Sequence, residues 1–333
     1  MTKPVVAIIG TGGTIGSLGR DSLDQFEYMD FGSKLEIDQL ITRFPEIAAF
    51  ADTVPIQFRT VGSAAIGPRD WLELNELIHT TAAESPSLAG IVLTHGTATL
   101  EETAYFLNLT LQIDLPVVVV GAQRPANGLS SDAGMNLLNA IRLAASPHAR
   151  GLGVLVLLND EIHAAREVTK TSTLRLETFR APDLGMLGYV DADGQVEIYR
   201  APTRRHAPDT EFDVRGLSSL PRVDIAYSYA GSTGLIIETL ARQGAQAIVS
   251  ASLAPGLVTP EERLAQERAQ RLGVVIVQSS RVGSGRVIPR TRLREERVVT
   301  ADNLNPQKAR VLAMLTLTRT RDPERIQQYF EEY

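Results

Sequence analysis

The chain has 333 residues, about twice a usual domain of roughly 150, so two domains are expected. Lys plus Arg (33) against Asp plus Glu (39) leave a net charge of −6, which offers no general field for nucleic acid or anionic lipid, and an aromatic content of 5% is too low for a base-stacking surface. Cysteine is absent, which excludes disulfides, thiolate metal sites and a cysteine nucleophile.

The first apolar run, Val5–Ile9, reads as a strand and is too short for a signal-peptide core. No stretch approaches the roughly 20 apolar residues of a membrane span, so a cytoplasmic protein without membrane or nucleic-acid partners is expected. Helical periodicity covers Trp71–Thr81, and Gly90–Leu93 is the next strand. The helix Leu100–Leu111 follows, with Thr99 as its expected cap and Glu101 and Glu102 in a first turn where the helix dipole favours acids. Val117–Gly121 is a strand, Asp132–Ala144 a helix and Gly153–Leu158 a strand. Short β-branched runs alternating with helices specify a parallel sheet covered by helices. From Gln195 to Arg222 periodicity is lost and Pro and charged residues cluster, which reads as an interdomain connection. Strands Val223–Tyr229, Ala247–Ser250 and Val274–Gln278 and a closing helix Asn305–Thr318 resume the pattern. The expected fold is α/β: a larger amino-terminal domain over 1–194 with a mainly parallel sheet, a connection over 195–222, and a smaller α/β domain over 223–333.

Three strand ends carry candidate chemistry, and open α/β sheets place ligands at such ends. The first, Gly10-Thr11-Gly12-Gly13-Thr14-Ile15-Gly16, invites a nucleotide reading but lacks both the third glycine of a dinucleotide fingerprint and the lysine of a Walker loop. It presents two hydroxyls, Thr11 and Thr14, among backbone N–H groups suited to an oxyanion. The second, Thr94-His95-Gly96-Thr97, sets another hydroxyl before a helix, where it serves either a cap or a site. The third candidate is Lys170 in Val168-Thr169-Lys170-Thr171, a lysine among small polar residues that is either solvated or catalytic. The five histidines show no metal-ligand spacing, and no G-x-S-x-G elbow occurs.

Together these segments resemble the bacterial L-asparaginase/glutaminase family of two-domain amidohydrolases. The resemblance rests on TGGTI at Thr11–Ile15, THGT and LEETAYFL between Thr94 and Leu107, VGAQRP at Val120–Pro125, SSDAGMNLLNA at Ser130–Ala140 and REVTKTST at Arg166–Thr173. It continues with FDV, LPRVDI, SSRVGSG and NLNPQKARVL in the carboxyl-terminal part. It implies a homodimer or homotetramer with sites at the intimate dimer interface, a small amide substrate, and no metal or organic cofactor. Thr14 would be the nucleophile on a flexible first loop, assisted by Tyr28, and Thr97 with Lys170 a second hydroxyl–base pair. Ser63, between Gly62 and Ala64, would hold the substrate carboxylate, with Gly96 and Ala98 beside it, and N–H groups near Thr14, Thr97 and Ala122 would receive the oxyanion.

The chain departs from that pattern at one subsite. Ala98 stands where L-asparagine-hydrolysing members carry an aspartate that grips the substrate α-ammonium. Ala64 replaces a common polar residue, and Gly231 replaces the asparagine of a Tyr-Ala-Asn pattern. Arg286, Arg290 and Arg292 follow SSRV where some members place a glutamate. A charge-assisted hydrogen bond contributes roughly 1.5–3 kcal/mol, so several losses would cost L-asparagine orders of magnitude. The expected substrate is therefore an amide of a carboxylate lacking a free α-ammonium. Two alternatives stay open: an L-asparaginase in which Asp24 or Glu27 replaces the ammonium contact, and a catalytically silent binding protein.

Overall fold

The computed structural model describes residues 2–333, which form two compact units divided between Leu217 and Ser218. In the first unit β1 (Val5–Gly12) leads into two short strands, β2 (Ser17–Leu18) and β3 (Ser33–Lys34), that flank the turn α1 (Tyr28–Phe31). Then follow α2 (Ile37–Arg43), β4 (Asp52–Val61), α3 (Pro68–Glu84), β5 (Leu88–Thr94), α4 (Leu100–Thr110), β6 (Val117–Val120), α5 (Ala133–Ala145) and β7 (Val154–Leu158). The unit closes with β8 (Glu161–Ala164), β9 (Thr169–Lys170), β10 (Phe179–Arg180), β11 (Gly188–Val190) and β12 (Val196–Ile198). Eight strands make one sheet in the order β12-β11-β8-β7-β6-β5-β1-β4. The pairs from β4 to β7 are parallel, and β8, β11 and β12 extend the sheet antiparallel. Val196–Ile198, inside the stretch expected as a connection, is one of the sheet's two edge strands.

Helices on both faces explain why the central strands are apolar without interruption. All four valines of β6 are buried. Val6, Ile8, Val92, Val118, Val120, Leu155 and Leu157 share one core with Leu137 and Ile141 of α5 and Ile37 and Leu40 of α2. The edge strand β4 instead has no fully buried residue and carries Pro55, as an edge tolerates.

The second unit holds a parallel four-stranded sheet of β13 (Val223–Tyr227), β14 (Ala247–Ser252), β15 (Val275–Ser280) and β16 (Val299–Thr300). Its helices are α6 (Leu235–Arg242), α7 (Pro260–Arg271), α8 (Thr291–Glu295), α9 (Pro306–Leu317) and α10 (Pro323–Glu332). Ile237, Ala241, Ile248, Ala265, Ala269, Ile276 and Leu293 form its core. Among the described residues no helix is long and apolar enough to cross a membrane.

Candidate active site

Sheet order decides where a site can form. The chain runs from β1 to its neighbour β4, then crosses to β5 on the other side of β1. The carboxyl ends of β1, β4, β5 and β6 therefore stand side by side at a reversal of strand order, where loops diverge and leave a crevice. Those four ends carry Thr14, Ser63, Thr97 and Gln123, and a cavity of about 270 Å³ opens among them.

Glycine lets these turns approach backbone to backbone. Gly13 has φ 84°, and a Cβ there would lie 2.3 Å from the Gly96 Cα. A Cβ on Gly96 would in turn lie 2.8 Å from the Ser63 Oγ. The β1 and β5 turns thus meet backbone to backbone, with only the small Ser63 side chain between the β5 and β4 turns, which brings Thr14, Ser63 and Thr97 to one wall. A buried relay fixes the β5 turn: Trp71 Nε1 donates to Thr103 Oγ1 at 2.9 Å, and Thr103 Oγ1 lies 3.0 Å from His95 Nε2. His95 Nδ1 stands 2.8 Å from the Gly96 carbonyl. Complete burial pushes the His95 imidazole down to about 4, so the ring is neutral and its Nδ1–H is the one left to donate to Gly96.

Two hydroxyl pairs face the cavity. Thr14 Oγ1 is 3.0 Å from the Tyr28 hydroxyl, and Lys170 Nζ donates to Thr97 Oγ1 at 2.8 Å. Burial raises the Tyr28 phenol; the Thr14 hydrogen bond opposes this, while Asp132 and Asp24 add to it, so Tyr28 is neutral at physiological pH. Burial lowers the Lys170 ammonium and the Glu101 carboxylate pulls it the other way. Glu101 is buried in the first turn of α4 and accepts the Lys170 backbone N–H at 2.6 Å. The strand bearing Lys170 is thereby anchored to the helix that begins just after Thr97. Ser63 Oγ accepts the Ala98 N–H at 3.2 Å, which leaves the serine proton available to a ligand. Neither the Thr14 nor the Thr97 backbone N–H has an acceptor among the described residues.

The cavity gathers most of the residues singled out from the sequence. Thr14, Tyr28, Gly62, Ser63, Ala64, Gly96, Thr97, Ala98 and Lys170 all line it. Four expectations need correction. Thr11 is buried and donates to the Thr94 carbonyl at 2.8 Å, because its place within β1 turns it into the sheet. Thr99 occupies the helix N-cap, yet its hydroxyl bonds the Ser63 carbonyl at 2.8 Å and caps nothing. Ala122 is fully buried behind the wall, and its neighbour Gln123 reaches the cavity instead. Neither Asp24 nor Glu27 lines it: Asp24 accepts the backbone N–H groups of Arg20, Phe26 and Tyr28 and so shapes the loop that holds Tyr28.

Residues of the lining that the sequence did not single out include Ser17, Met29, Lys34, Gln123 and Leu174, with Lys34 reached through the β2–β3 pairing of Ser17 with Lys34. The lining carries two lysines and no Asp or Glu. In the second unit Gly231 occupies an exposed turn with φ 80° and open space where a Cβ would stand. Arg286 pairs with Asp302, Arg290 donates to the Gly256 carbonyl at 2.7 Å, and Arg292 stands 3.6 Å from Glu296.

Comparison with known proteins extends this picture. The family model described as asparaginase, N-terminal, matches residues 5–204, and that of the glutaminase/asparaginase C-terminal domain matches residues 222–330. L-asparaginase 2 of Bacillus subtilis is 40% identical over 330 residues, covering 99% of this chain and 87% of that protein. The glutaminase-asparaginase of Pseudomonas fluorescens is 40% identical over 331 residues, covering 98% of this chain and 90% of its own. A crystal structure of a probable cytoplasmic L-asparaginase from Campylobacter jejuni superposes with a TM-score of 0.94 at 40% identity, covering 99% of this chain and all of that one.

Proposed function

The chain belongs to the glutaminase/asparaginase family and is an amidohydrolase; from that premise we propose that it hydrolyses the side-chain amide of a carboxylate substrate lacking a free α-ammonium, through an acyl-enzyme on Thr14. The observation that carries this reading is the composition of the cavity wall: hydroxyls, two lysines and backbone donors, with Ala98 in the lining and no carboxylate to receive an ammonium. A substrate ammonium placed there would lose its hydration without gaining an anionic partner.

The chemistry follows from the two hydroxyl pairs. Thr14 Oγ1 attacks the amide carbon while its proton passes through the neutral Tyr28 hydroxyl to the departing nitrogen. The C–N bond breaks, ammonia leaves, and an ester to Thr14 remains. For deacylation the neutral amine of Lys170 accepts the Thr97 proton, and Thr97 takes one from water, whose oxygen adds to the ester carbon. Collapse returns the proton to Thr14 and frees the acid. The Thr14 and Thr97 N–H groups stabilise the oxyanion in both halves, and the Ser63 proton goes to the substrate carboxylate. Burial of Lys170 suits this role, since a lowered lysine supplies more neutral amine at a given pH. The chain's own copies complete the cavity as a homodimer or homotetramer, and the cytoplasm is the proposed location.

A second reading, hydrolysis of L-asparagine itself, is favoured by the names of the relatives. It requires an ammonium acceptor supplied from outside the residues lining this cavity. The acyl-enzyme is tested by quenching turnover of succinamate in acid and measuring intact mass. A succinyl adduct that maps to Thr14 and vanishes in Thr14→Ala is expected; steady turnover with no adduct in rapid-quench samples, together with an active Thr14→Ala variant, contradicts the mechanism.

A further inference from the structure

Two side chains of the cavity wall are left without a partner by everything described above. Gln123 is 6% exposed, and its Nε2 is sealed from solvent with no hydrogen-bond acceptor among the described residues. A buried amide donor left unpaired is costly, and folded proteins keep such groups mainly where a ligand or water supplies the acceptor. Lys34 lines the same cavity, half-buried, and its ammonium has no acidic partner and no hydrogen-bond acceptor among the described residues. The two belong to one wall. Ser17 pairs with Lys34 across β2 and β3, and the Ser17 carbonyl accepts the N–H of Ala126, three residues beyond Gln123, at 2.8 Å.

Resting on the amidohydrolase reading, we propose that Gln123 and Lys34 form a second acceptor subsite, so that the substrate carries a further carboxylate beyond its reacting amide and the carboxylate held by Ser63. A carboxylate is the group that fits. It offers about four lone-pair sites, enough for an amide N–H and an ammonium together, and it neutralises the one lysine of the lining not engaged with Thr97. A neutral carbonyl would satisfy Gln123 but leave Lys34 without a counter-charge. The substrate class is therefore the monoamide of a tricarboxylic acid, or an asparagine whose nitrogen bears an acid-terminated acyl group.

Calorimetric titration with succinate and with tricarballylate, which adds one carboxymethyl group to the succinate backbone, tests this directly. Tricarballylate is expected to bind roughly tenfold or more tightly than succinate, the scale of one charge-assisted contact. Lys34→Met should remove about that factor for tricarballylate while changing succinate less than about twofold, and the near-isosteric Gln123→Met should act in the same direction. Equal affinity for the two acids, binding of neither, or an equal loss on both overturns the proposal; the last would mean that Lys34 serves the Ser63 carboxylate. Should Gln123→Met fail to fold, the half-buried Lys34 position carries the test alone. The amidohydrolase reading is scored separately, by Thr14-dependent ammonia release from succinamate, so the two can fail independently.

Discussion

Ala98→Asp is the substitution that separates specificity from catalysis. Ala98 lines the cavity and is exposed; its N–H is 3.2 Å from Ser63 Oγ, and its neighbour Thr97 meets Lys170 Nζ at 2.8 Å. A carboxylate installed there would be the first acid in the lining. For a substrate with an α-ammonium it supplies one charge-assisted contact, about 1.5–3 kcal/mol, or roughly 10- to 150-fold in kcat/KM. For succinamate it supplies nothing and repels the substrate's charge, so that rate should fall. The same carboxylate favours the protonated form of Lys170, which raises its pKa. Because the base must be neutral, the acid limb of the pH profile then moves to higher pH, and part of the gain at neutral pH is offset. Ammonia release from L-asparagine and succinamate, followed across about pH 6 to 10, resolves both effects. An unchanged ratio between the two substrates in a folded variant would refute the assignment of Ala98 to the ammonium subsite.

Replacing Lys170 by Met is expected to lower kcat by roughly 10²–10⁴-fold, with Thr97→Val similar and the double variant little worse, since the pair acts as one unit. Additive losses in steady-state kinetics would break that pairing. Glu101→Gln removes the charge that raises Lys170, so its acid limb should move to lower pH, whereas Glu101→Ala should also lower kcat by releasing the 2.6 Å anchor on the Lys170 N–H. Coincident pH profiles for wild type and Glu101→Gln would remove Glu101 from the electrostatics of the site. Gly13→Ala forces a side chain to φ 84° and to within 2.3 Å of Gly96 Cα. Strain of at least about 1–3 kcal/mol should lower Tm by about 2–4 °C per kcal/mol, and an unchanged melting curve would show that the two turns have room to separate.

The strands and the cavity were legible to different degrees. Runs such as Val117–Val120 are buried on both faces, so their apolar composition alone marks them, and their alternation with helices marks the sheet as parallel. The edge strand β4 mixes exposed and half-buried positions without alternation and contains Pro55, and β8, β11 and β12 are only three or four residues long, so no periodicity announces them. The site shows the same division. Thr14 and Thr97 stand out as hydroxyls after glycine at strand ends, but Thr11 and Thr99 look alike in sequence; only register sends the first into the sheet and the second onto the Ser63 carbonyl. Glu101 reads as an ordinary first-turn acid because its contact with Lys170 spans 69 residues of sequence. Lys34 and Gln123 carry no sequence signal, since an unpartnered donor is a property of packing around it.

The central claim, an amidohydrolase whose cavity has no place for an α-ammonium, is tested most directly by comparing kcat/KM for ammonia release from succinamate and from L-asparagine, with Thr14→Ala as the control. The expected result is a preference for succinamate of roughly tenfold or more, the worth of one missing charge-assisted contact, abolished in Thr14→Ala. Faster, Thr14-dependent turnover of L-asparagine would contradict it and require an ammonium acceptor beyond the residues that line this cavity.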